Sequence, residues 1–122
     1  MTTAHETTTV HALTGASSRG LYLVTCTPPD GSVRLGQPQT WTVLVTTRAG
    51  APVSHLRLGC SIEMPQMSMA PAPAHTVTAE GQGRYLVRGV EFTMGGRWMM
   101  VITLAGPART AADRATFSLR VG

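Results

Sequence analysis

Ser54-His-Leu-Arg-Leu-Gly-Cys-Ser-Ile-Glu-Met64 alternates without a break. Leu56, Leu58, Cys60, Ile62 and Met64 fall on one side, and Arg57, Gly59, Ser61 and Glu63 on the other. Side chains of a strand point to opposite faces with period two, so this stretch reads as a strand with one buried face. The same pattern recurs along the chain. Gln39-Thr-Trp-Thr-Val-Leu-Val-Thr-Thr47 sets Trp41, Val43 and Val45 against threonines, with Leu44 as its one outward apolar residue. Trp98, Met100, Ile102 and Leu104 share a face, as do Ala115, Phe117, Leu119 and Val121.

Gly20–Cys26, Thr76–Ala79 and Arg84–Met94 complete a set of about seven strands, the last bent near Gly89. Turn signals separate them, and Gly95-Gly96 reads as a tight hairpin between Arg84–Met94 and Trp98–Leu104. No run of helical period survives its Gly and Pro interruptions. The expected fold is all-β, an immunoglobulin-like antiparallel β-sandwich. Residues 1–15, polar and Thr-rich, read as a flexible N-terminal tail, and residues 16–122 as one domain. Trp41 and Trp98 belong to the core, and a buried indole N–H calls for an acceptor.

At 122 residues the chain can bury a core without metal or disulfide support. Its hydrophobic fraction of 43% excludes disorder. All ten basic residues are arginines, scattered singly from Arg19 to Arg120, which is no nucleic-acid surface. No segment reaches the ~18 apolar residues that span a bilayer as a helix, and the N-terminus lacks a signal peptide's apolar stretch. The protein is then cytosolic, or an export or anchor segment lies outside this sequence. Cys26 and Cys60 admit three readings: buried small hydrophobes, a disulfide, or a metal-ligand role for one of them.

No enzyme motif is present, and the six acidic residues stand singly, Asp30 and Asp113 in turn-like segments. The sequence therefore reads as non-catalytic, with no small-molecule substrate evident. Its unusual feature is Met64-Pro-Gln-Met67-Ser-Met69, followed by His75, within the Pro-rich segment 65–75. Thioether is a soft ligand suited to Cu(I), which also accepts imidazole and thiolate. In extended chain Met67 and Met69 project to one side roughly 6–7 Å apart, close enough to converge on one ion. His75 can add a third ligand if the segment folds back. Cys60 shares a strand face with Met64 but lies roughly 13 Å from it, so the two meet at one ion only if the strand bends. The competing explanation is packing, since methionines often plug the end of a sandwich core.

The order of features resembles the YtkA-like/FixH-like family of small bacterial envelope domains. Carrying the resemblance are Pro28-Pro-Asp-Gly31, Gly36, Trp41-Thr-Val-Leu-Val45, Gly50-Ala-Pro-Val53 and Met64-Pro-x-Met67-x-Met69. Gly81-x-Gly-Arg-Tyr85, Val90-x-Phe-Thr-Met94-x-Gly-Arg-Trp98 and Phe117-Ser-Leu-Arg-Val121 complete it. The resemblance implies an immunoglobulin-like fold, a periplasmic or membrane-anchored location, and a part in copper handling or copper-oxidase maturation. Many relatives carry histidines in the loop, as M-P-x-H-x-H; here Met67 and Met69 stand in their place, which shifts the expectation toward Cu(I). The expected metal set is Met67, Met69, Met64, His75 and Cys60. The alternative function is a metal-free interaction domain docking on a membrane complex, a periplasmic partner or an oligomer partner through a sheet face or open edge.

Overall fold

The period-2 stretches form strands, with their apolar sides turned inward, in a computed structural model that describes residues 7–65, 76–106 and 112–122. Ten strands lie among them: β1 (Thr7–Thr9), β2 (Leu13–Ala16), β3 (Tyr22–Thr27), β4 (Ser32–Arg34) and β5 (Gln39–Thr47), then β6 (Arg57–Glu63), β7 (Thr76–Gly81), β8 (Arg84–Val90), β9 (Gly96–Ala105) and β10 (Asp113–Val121). One sheet has the order β2-β3-β5-β8-β7 and another β10-β9-β6, while β1 pairs with β4 alone. Every pairing is antiparallel.

The two larger sheets close a β-sandwich. Trp41, Val43 and Val45 of β5 are buried, as are Trp98, Met100, Ile102 and Leu104 of β9 and Ala115, Phe117, Leu119 and Val121 of β10. The layers touch closely at one flank, where a Cβ on Gly15 of β2 would lie 3.3 Å from the Phe117 ring of β10. At the same flank the Ser18 amide donates to the Arg114 carbonyl at 2.8 Å. At the opposite flank Tyr85 of β8 bridges the layers, its hydroxyl donating to the Val53 carbonyl at 2.8 Å and accepting from the Leu56 amide at 3.1 Å.

Seven of the strands are those expected from alternation. The other three, β1, β2 and β4, are short, and β1 and most of β2 lie in the segment read as a tail. Their threonines suit a half-exposed strand, and pairing with β3 and β4 supplies the backbone partners that isolated short strands lack.

One expectation is corrected. Gly95-Gly96 does not join a hairpin, because β8 belongs to the five-stranded sheet while β9 pairs with β6 and β10. Residues 91–95 carry the chain from one layer to the other. Phe92 anchors this crossing as a fully buried ring, edge-on to Trp98 at 5.2 Å and tilted against Trp41 at 6.2 Å. The Trp98 indole donates to the Met94 carbonyl at 3.0 Å, which fixes the corner. Burying Phe92 between two indoles outweighs the local turn signal of two glycines.

Candidate functional site

The segment singled out by its methionines leaves the sandwich at the end of β6. Among the described residues that strand is an edge of the three-stranded sheet, and β7, where the chain returns, is an edge of the five-stranded one. The connection therefore joins two edges on the flank bridged by Tyr85. Ile62 and Met64 are buried, Met64 at 2% exposure, and Pro65 is exposed. The register of β6 on β9 ends at Glu63↔Met99. Continued one step, it sets Met64 opposite Trp98, so the Met64 thioether is part of the core at the mouth of the segment. Met67, Met69 and His75 lie outside the described residues.

Cys60 faces inward from mid-β6, half-buried and packed against the core. The pairing of β6 with β9 runs without a bulge from Arg57 to Glu63. Cys60 and Met64 thus stay roughly 13 Å apart along the strand, and the bend that would unite them on one ion is not made. Burial pushes the Cys60 thiol up to about 12. A metal binding there would have to displace the Cys60 proton. Cys26, fully buried on β3, is likewise pushed up to about 12, by burial first and then by the charge of Cys60. Both cysteines are thiols. Among the described residues, no three His, Cys, Asp or Glu side chains gather in a way that would hold an ion.

A second polar constellation went unread in the sequence. Asp113, the first residue of β10, is 4% exposed, and Ser17 beside it equally so. Oδ2 accepts the Ser17 hydroxyl at 2.5 Å; Oδ1 accepts the Ser18 hydroxyl at 3.1 Å and the Arg19 and Arg114 amides at 2.9 Å. Ser17 Oγ in turn accepts the Tyr22 amide at 3.0 Å. Burial pushes the Asp113 carboxyl up, but these donors outweigh it and hold it at about 2. So weak a base has little use in proton transfer near neutrality. The arrangement is a lock that fastens the β2–β3 corner to the start of β10. Its only sequence signal is an aspartate 96 positions from a serine, which no local pattern exposes.

Of the described histidines, His11 and His55, neither joins the Asp113 cluster or lies beside Met64. His55 is exposed, with φ of 69° just before β6, and His11 is exposed ahead of β2. Compared with known families, residues 21–103 match the YtkA-like family. That span covers most of the sandwich, from the start of β3 into β9, and includes the whole methionine segment. No curated protein matches the chain.

Proposed function

Because the chain belongs to the YtkA-like family, we propose that it is a non-catalytic module of the cell envelope that binds Cu(I) through Met67 and Met69, assisted by His75 or Met64. It acts in the periplasm or tethered to a membrane, in copper handling or copper-oxidase maturation. The observation that carries this reading is the placement of Met64 and Pro65. The chain passes from the buried core to the surface within one residue, and two further thioethers follow within the next four positions. Such a segment starts from a rigid strand end, which limits the ordering needed on binding.

The donor chemistry fits the ion. Thioethers with one imidazole suit a soft monovalent cation and hold hard divalent ions poorly. Docking on a protein partner has less support. Among the described residues the large exposed apolar side chains are Leu21, Leu44 and Met94, each on a different segment of the chain, whereas an interface is marked by a contiguous apolar patch.

The test is an anaerobic titration of the reduced protein with Cu(I) against a chromophoric chelator. One-to-one competition supports the reading. Failure to compete at any chelator concentration overturns it and returns the methionines to a packing role.

A further inference from the structure

The Asp113 lock also fixes what lies on its outer side. Its Oδ1 accepts the backbone amides of Arg19 and Arg114, both at 2.9 Å, the first across 94 positions of sequence. The Ser18 amide donates to the Arg114 carbonyl at 2.8 Å. Two arginines that stand singly in the sequence thereby border one cleft. Both are exposed, and with Ser18, Thr103, Ala112 and Asp113 they line an open space of about 170 Å³. Among the described residues neither guanidinium is engaged in a hydrogen bond or an ion pair.

Positive charge prevails around this cleft. Asp113 contributes one negative charge, but it is 4% exposed and its oxygens already accept four donors. Arg57 of β6 adds a third guanidinium nearby. It pairs with Ala105, two residues along β9 from Thr103, and is exposed on the same outer face. That diagonal spacing is about 7–8 Å, within reach of a long side chain.

We propose that Arg19 and Arg114 form a binding site for a phosphate-group oxyanion. Each guanidinium is a planar fork of N–H donors that fits two oxygens of one anion. The forks come from separate elements, the β2–β3 corner and β10. A tetrahedral phosphate can present oxygens to both, whereas a planar carboxylate fills one. The lock holds both backbones in place before anything binds, which lowers the ordering cost. The same group can arrive as free phosphate or as the headgroup of an anionic lipid, and the test separates the two. The inference does not depend on copper binding.

Inorganic phosphate is titrated into the metal-free protein at constant low ionic strength, with chloride making up the balance. The expected response is saturable, with amide NMR shifts centred on Arg19, Thr103, Ala112 and Arg114. The melting temperature rises with phosphate concentration. Acetate should bind at least about tenfold more weakly, having one fork's worth of contacts. Arg19→Gln and Arg114→Gln should each weaken phosphate binding about tenfold. Neither should change the melting temperature in chloride, because Asp113 holds their backbone amides and not their guanidiniums. In a parallel arm the protein is floated with phosphatidylglycerol vesicles. Vesicle binding by the parent alone, without a response to free phosphate, assigns the site to a lipid headgroup. The proposal is overturned if neither phosphate nor vesicles bind, if the shifts centre away from the cleft, if acetate binds as tightly as phosphate, or if both variants bind as the parent does.

Discussion

Ser17 and Asp113, 96 positions apart in the chain, share a 2.5 Å hydrogen bond inside the protein. Around it the Ser18 hydroxyl and two backbone amides complete the coordination of the carboxylate. The flank opposite the methionine segment is held by this lock, while the flank near the segment is held by Tyr85. Each device has a consequence that can be measured.

Replacing Asp113 with Asn removes the charge that four donors converge on and leaves at least one buried donor without an acceptor. Hydrogen bonds to a charged group contribute more than neutral ones, so Asp113→Asn is expected to cost about 2–3 kcal/mol in urea unfolding. Ser17→Ala should cost less, about 1–2 kcal/mol, since three donors to Asp113 remain. Equal stability of Asp113→Asn and the parent would show that the lock contributes nothing.

The same carboxylate sets an acid dependence. Its pKa is held at about 2 in the folded protein, below the ordinary 3.8. A group whose folded pKa is depressed stabilises the fold above the unfolded pKa and loses that contribution as pH falls through the folded value. Stability should therefore decline between about pH 4 and pH 2. In Asp113→Asn this part of the slope should be absent, which a series of chemical denaturations across that range would read.

Tyr85 offers the matching test at the other flank. Tyr85→Phe keeps the buried ring but removes both the bond to the Val53 carbonyl and the acceptor for the Leu56 amide. The expected cost is about 1–2 kcal/mol. Hydrogen exchange at the Leu56 amide should accelerate more than at strand centres such as Val43.

Gly83 tests backbone approach. Its φ is +76°, and a Cβ there would lie 2.5 Å from the Val45 carbonyl oxygen and 3.1 Å from the Val53 nitrogen. Gly81, at φ +82°, has open space around it. Gly81→Ala should cost only the strain of the left-handed conformation, about 1–2 kcal/mol. Gly83→Ala adds a collision with backbone that cannot move aside, and should cost about 3 kcal/mol or more.

For the proposed copper site, Met67→Leu with Met69→Leu keeps the side-chain volume and removes both soft donors. Cu(I) affinity should fall by about two orders of magnitude or more, roughly 2.7 kcal/mol, while the melting temperature stays within about 2 °C. Unchanged affinity would remove these residues from the site. Met64→Leu separates core packing from ligation, since Met64 is buried and Leu preserves most of its packing.

The alternation in β5, β6, β9 and β10 assigned nearly every buried side chain correctly, because period two depends only on neighbours in sequence. It gave the inward faces of Trp41, Ile62, Trp98 and Phe117, the outward exposure of Leu44, and a sandwich built from them. It missed β1, β2 and β4, which are too short to show a period and form because a partner edge is available. It also gave Gly95-Gly96 a hairpin, since a local turn signal does not say which strand comes next to it. Of the candidate site, the soft donors, the strand leading to them and the inward face of Met64 were legible, but the straightness of β6 between Met64 and Cys60 was not.

Sequence alone thus determined the class of fold, the face that each strand turns to the core, and the place where soft ligands concentrate. All three follow from residue chemistry and short-range spacing. Tertiary structure decided which layer each strand joins, that Asp113 is a buried lock rather than an exposed turn residue, and that Cys26 and Cys60 share one interior. These rest on pairs 34 to 96 positions apart. Such pairs meet only when two twisted sheets close over a common core, and the burial of Phe92 between Trp41 and Trp98 helps to fix how they close.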